Sequence, residues 1–155
     1  MFNRVADWCT WAASAFAAVC SVIAIVAPAG GTNRVLGVAA PFAIGAIALA
    51  ASALASRRVG WLSGALLAVA TLAILYGGLL AVSLPLRLAV EGTCPKAAPS
   101  CPLGFDRPIT AGENFAVYTS AIGGVTALVL AFVVAEARYL RKPRPNQQRT
   151  YPPLP

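Results

Sequence analysis

Four cysteines are the residues in this 155-residue chain with the clearest capacity for covalent chemistry, and two of them sit in "TCPKAAPSC" as Cys94 and Cys101. A C-x₆-C spacing with Pro95 and Pro99 inside it and Pro102 just after suits a disulfide that staples a short loop. The closed ring spans eight residues and would contribute about 2.5 kcal/mol through chain entropy. Cys9 and Cys20 lie in or beside the first apolar run. Thiol exchange with a quinone would call for a C-x-x-C pair, and the chain has none. We therefore read Cys94–Cys101 as structural, which requires an oxidising compartment.

Other catalytic chemistry finds little to work with. There is no histidine, and the only methionine is Met1, so haem, copper and the usual zinc sites lack donors. Phosphate-binding loops, nucleophile elbows and paired carboxylates are missing as well. Intramembrane ionisable groups mark proton relays and ion paths, and none appears inside the long apolar runs. The expectation is a chain that is not an enzyme, with no cofactor, no metal and no small-molecule substrate.

Composition sets the solvent. Hydrophobic residues make up 59% of the chain and charged ones 11%, with a mean hydropathy of +0.74. A soluble domain carries roughly 25% charged residues. Four runs reach the ~20 residues a transmembrane helix needs: 8–27, 35–56, 59–84 and 115–135. The expected fold is an all-α integral membrane protein, a four-helix bundle over residues 1–137. An outer loop over 85–114 joins helices 3 and 4, and a basic, proline-rich tail covers 138–155. The third run, 26 residues long, would measure ~39 Å and should tilt in or project from a ~30 Å core. Although Ala27-Pro28-Ala29 has the form of a signal-peptide cleavage site, the run before it is long for one. We read it as a retained span.

The net charge of +7 would point to nucleic acid in a soluble protein, but these cations flank apolar runs and no basic face interleaved with aromatics is visible. Nucleic acid is not an expected partner. Arg4, Arg57, Arg58, Arg138, Arg141, Lys142, Arg144 and Arg149 would share one side, against Arg34, Arg87, Lys96 and Arg107 on the other. The positive-inside rule then puts both termini in the cytoplasm. Trp8, Trp11, Trp61 and Tyr139 fall near the same interface. Arginine outnumbers lysine ten to two, which, with abundant Ala, Gly and Pro, fits a high-GC bacterial source. The expected location is a bacterial inner membrane, with Arg57, Arg58, Arg138, Arg141, Lys142 and Arg144 against anionic lipid headgroups. Glu136 is expected to pair with Arg138 or Arg141.

Small residues recur every fourth position. Gly60, Gly64 and Ala68 do so in the third run, and Thr119, Gly123, Ala127, Ala131 and Ala135 in the fourth. Such stripes let helix backbones approach closely in lipid, either inside the bundle or against a partner. Val117, Leu128, Phe132 and Val133 would offer bulk on the opposite face of the fourth run. The tail's "YPPLP" resembles ligands of proline-recognising modules. Together these features lead to an expected function as an accessory or assembly subunit of a larger respiratory or cell-envelope complex, with other membrane subunits as partners. The alternative is a small pore-former or transporter of holin-like type, whose polar candidates would be Ser14, Ser21, Ser52, Thr71 and Ser120.

Overall fold

Backbone polar groups in lipid must be satisfied within the segment, so long apolar runs of this kind fold as helices. The computed structural model describes residues 2–28, 34–56, 59–94 and 107–140. It contains α1 (Phe2–Val26), α2 (Leu36–Ala55), α3 (Gly60–Glu91) and α4 (Ala111–Ala135), and a π-helical turn Glu136–Leu140 extends α4. All four helices are long and apolar enough to cross a membrane. They run antiparallel in a ring in which α1 packs on α2, α2 on α3, α3 on α4, and α4 back on α1. One end of the bundle, the terminal end, carries the start of α1 and the end of α4. The opposite loop end carries the α1–α2 and α3–α4 connections.

Two boundaries differ from the sequence expectation. Helix α3 continues through Pro85 to Glu91, and α4 begins at Ala111. The connection expected over 85–114 is thus shorter by about two turns of α3 and one of α4. At 32 residues, α3 would measure ~48 Å against a hydrocarbon core of ~30 Å. A helix of that length would tilt in or project beyond such a core. Pro85 carries no N–H for the fourth carbonyl back, and membrane helices tolerate that gap.

The interior is built by glycine faces that receive one aromatic ring. Phe42 on α2 is fully buried. A Cβ at Gly77 on α3, or at Gly124 on α4, would press on its ring. Ile74 fills the matching hollow left by Gly45 of α2. Polar side chains also point inward: Thr10, Ser14, Ser21, Ser52, Ser63, Glu113 and Ser120 are buried, while Ile47, Leu72, Ile122 and Val125 are each more than 60% exposed. This arrangement suits an apolar solvent.

The polar clusters that close the bundle

The loop end is organised by one carboxylate. Thr110 caps α4 with a capping box, in which its hydroxyl accepts from the Glu113 amide while its own amide donates to Glu113 Oε2 at 3.0 Å. That geometry turns the Glu113 side chain back toward the start of the helix and buries it completely. Arg34, just before α2, meets it fork to fork, with Nε donating to Oε1 at 3.0 Å and Nη2 to Oε2 at 2.7 Å. Arg107 adds a second, looser fork at 3.1 and 3.4 Å.

Arg34 does more than neutralise. Its Nη1 and Nη2 donate to the carbonyls of Arg107 and Pro108 at 3.2 and 3.1 Å. Its side chain is only 6% exposed, against 28% for Arg107. One guanidinium therefore fastens the approach to α2, the approach to α4 and the α4 cap together. Gly112 completes the closure, because a Cβ there would collide with the Ala27 carbonyl at the end of α1.

At the terminal end, Arg138 forms an ion pair with Asp7 of α1. The sequence reading put Arg138 on lipid headgroups and offered it Glu136. Instead its side chain turns inward, 12% exposed, and ties the turn after α4 to the first turns of α1. Arg141, the other partner expected for Glu136, lies outside the described residues.

Between these ends, hydroxyls bridge helices. Ser14 donates to Ala46 O and Ser21 to Ala39 O, both at 2.9 Å, joining α1 to α2. Ser52 and Ser63 join α2 to α3 reciprocally, each donating to the other's carbonyl at 2.9 and 3.0 Å. Thr71 instead bonds its own helix at Ala68 O. Three of the five hydroxyls considered as pore lining are therefore engaged in helix–helix joints. Ser120 Oγ is buried and has no hydrogen-bond partner among the described residues.

The two small-residue stripes face opposite ways. Gly123, Ala127 and Ala131 are buried, Thr119 is half-buried, and Thr119 bonds back to Phe115 and Ala116 of its own helix. Gly123 leaves room for Cys20 Sγ, which donates to the Thr119 carbonyl of α4 at 3.6 Å. On α3, by contrast, the core face is Ser63, Leu67, Ala70 and Ile74, so Gly60 and Ala68 are exposed and Gly64 is half-buried. Val117 was assigned to the bulky outer face of α4 and is buried, at 5% exposure. Leu128 is half-buried, and Phe132 and Val133 are exposed.

Cys9 and Cys20 are free thiols. Cys94 lies in the extended segment after α3, while Cys101, Arg57, Arg58, Arg141, Lys142 and Arg144 lie outside the described residues. No three His, Cys, Asp or Glu side chains gather into a cluster among the described residues.

Reasoning from sequence missed Glu113 and its partners, because the fourth apolar run was counted from Phe115. The available signal was the Thr110-x-x-Glu113 capping-box pattern just ahead of that run. Comparison of the chain with protein-family models, with curated proteins and with solved structures returns no match.

Proposed function

We propose that the chain is a non-catalytic subunit of a larger membrane assembly, binding its partner through the outward face of α3. The observation that carries this reading is the Gly60–Gly64–Ala68 stripe. It lies off the core face of α3, with Gly60 and Ala68 exposed and open space where a Gly60 side chain would be. Inside the bundle, glycines serve close packing, as at Gly45, Gly77 and Gly123. A second flat surface pointing outward offers the same close approach to another helix. The loop carrying Cys94 and Cys101, joined as a disulfide, and the basic proline-rich tail add contacts on either side of the membrane. The setting is a bacterial inner membrane with both termini in the cytoplasm, where the tail and the α2–α3 connection meet anionic lipid.

The test is isolation through a C-terminal tag in mild detergent, for the native chain and a Gly60→Leu/Ala68→Leu variant. Stoichiometric co-purification with another membrane protein, lost in the variant while the chain stays monodisperse, supports the proposal. Recovery of the chain alone, or only with itself, overturns it and leaves the pore reading to be examined by ion flux in liposomes.

A further inference from the structure

A cleft opens at the loop end between the start of α2 and the last turns of α3. It has a volume of about 240 Å³ and is lined by Arg34, Gly37, Val38, Leu80, Ser83, Leu84 and Arg87. Leu80, Ser83, Leu84 and Arg87 stand at i, i+3, i+4 and i+7 on one face of α3, and Arg34 reaches the cleft from the approach to α2 beside Gly37 and Val38.

The chemistry of the cleft is graded along the bundle axis. Its upper rim holds the two guanidinium side chains and the first turn of α2. No side chain caps that turn, and its dipole favours negative charge. Its lower part is aliphatic, formed by Leu80, Leu84 and Val38. The Ser83 hydroxyl donates to Leu80 O at 2.7 Å, so its proton is used within its own helix. Leu36, Leu79 and Leu86, neighbours in sequence of the lining residues, are each more than half exposed.

The arginines at this end differ in their engagement. Arg34 and Arg107 are drawn to Glu113, whereas Arg87 is exposed and makes no ion pair with a described residue. An exposed cation beside an apolar channel matches a phosphodiester carrying acyl chains.

We propose that this cleft seats one anionic phospholipid. Its phosphate would lie between Arg87 and the start of α2, and an acyl chain would run down over Leu84, Leu80 and Val38.

The full chain purified in a neutral detergent and titrated with phosphatidylglycerol, phosphatidylcholine or inorganic phosphate tests the idea, with binding read by native mass spectrometry and thermal stability. The expected result is saturable, one-to-one retention of phosphatidylglycerol with a rise in melting temperature, and much weaker retention of phosphatidylcholine. Arg87→Gln should weaken that retention by about five- to tenfold, the scale of one headgroup cation. Ser83→Leu keeps every charge but fills the cleft, and should weaken it too. Equal retention of both lipids, indifference to both variants, or inorganic phosphate stabilising the protein as well as the lipid does would each overturn the proposal. Arg87 is exposed, so its variant should fold, and unchanged elution of both variants makes a loss of binding interpretable.

Discussion

At the scale of single residues, Glu113 dominates. It accepts from two arginines and from Thr110, and it is fully buried. Replacing it with Gln leaves Arg34, at 6% exposure, without its counter-charge, and breaking a buried pair in this way costs about 3–5 kcal/mol. Arg34→Gln should be of similar severity. Arg107→Gln should be milder, because its side chain is more exposed and its bonds are longer. Thr110→Ala removes only the cap and should cost about 1 kcal/mol. Thermal unfolding in detergent would rank all four, and an Arg107 variant as damaging as the Arg34 one would contradict the division of labour drawn here. A second residue-scale test concerns Gly123, where an added methyl group meets Cys20 Sγ. Gly123→Ala should lower the melting temperature, and Cys20→Ala in the same chain should restore much of it. The Glu113 site was inconspicuous in the sequence, whereas Gly123 stood in the small-residue stripe of the fourth run. Counting apolar residues rewards long uncharged runs, so a glutamate two positions before Phe115 fell into the loop. Its partner Arg34 is 79 residues away in sequence, a distance no local pattern spans.

At the scale of helices, the joints differ in chemistry. The α1–α2 and α2–α3 contacts contain serine-to-carbonyl bonds, whereas α1–α4 packs a thiol into a glycine hollow. Interhelical hydrogen bonds of this kind average about 0.6 kcal/mol in membrane bundles. Ser14→Ala and Ser21→Ala should therefore be individually mild, and Ser52→Ala/Ser63→Ala together only modestly worse, since both members of that pair are removed. A loss of several kcal/mol in denaturant titration would mean the serines do more than link helices. Existence and approximate position of all four helices were legible in the sequence, because apolar runs of this length permit no other backbone. The faces were not. Ala, Gly and Ser recur on every side of α3, so the stripe Gly60–Gly64–Ala68 looked as suitable for the interior as Ser63–Leu67–Ala70 did. Only the arrangement of neighbours separates them.

At the scale of the whole molecule, both ends of the ring are closed by charge across α4: Arg34 and Arg107 on Glu113 at the loop end, and Arg138 on Asp7 at the terminal end. Asp7→Asn should loosen the terminal end without disturbing the other. Faster amide exchange in the first turns of α1 and in the turn after α4, with unchanged protection around Thr110, is the expected pattern. That the exterior would be apolar was legible from composition, but which side chains form it, Ile47, Leu72, Ile122 and Val125 among them, was not. The closing contacts were not legible either, because Arg34–Glu113 and Arg138–Asp7 each unite residues from opposite halves of the sequence. That separation has a consequence for how the chain is made. Arg34 emerges from the ribosome well before Glu113, so the first three helices can be inserted while its guanidinium still lacks a buried acceptor. Arrival of α4 supplies the carboxylate and locks the ring. A chain that stops short of α4 keeps an unneutralised arginine at its second helix, a mark by which membrane quality control could single it out. Truncation after Glu91 should therefore shorten the protein's lifetime in cells, and Arg34→Gln should lengthen the lifetime of that truncated form even as it destabilises the complete one.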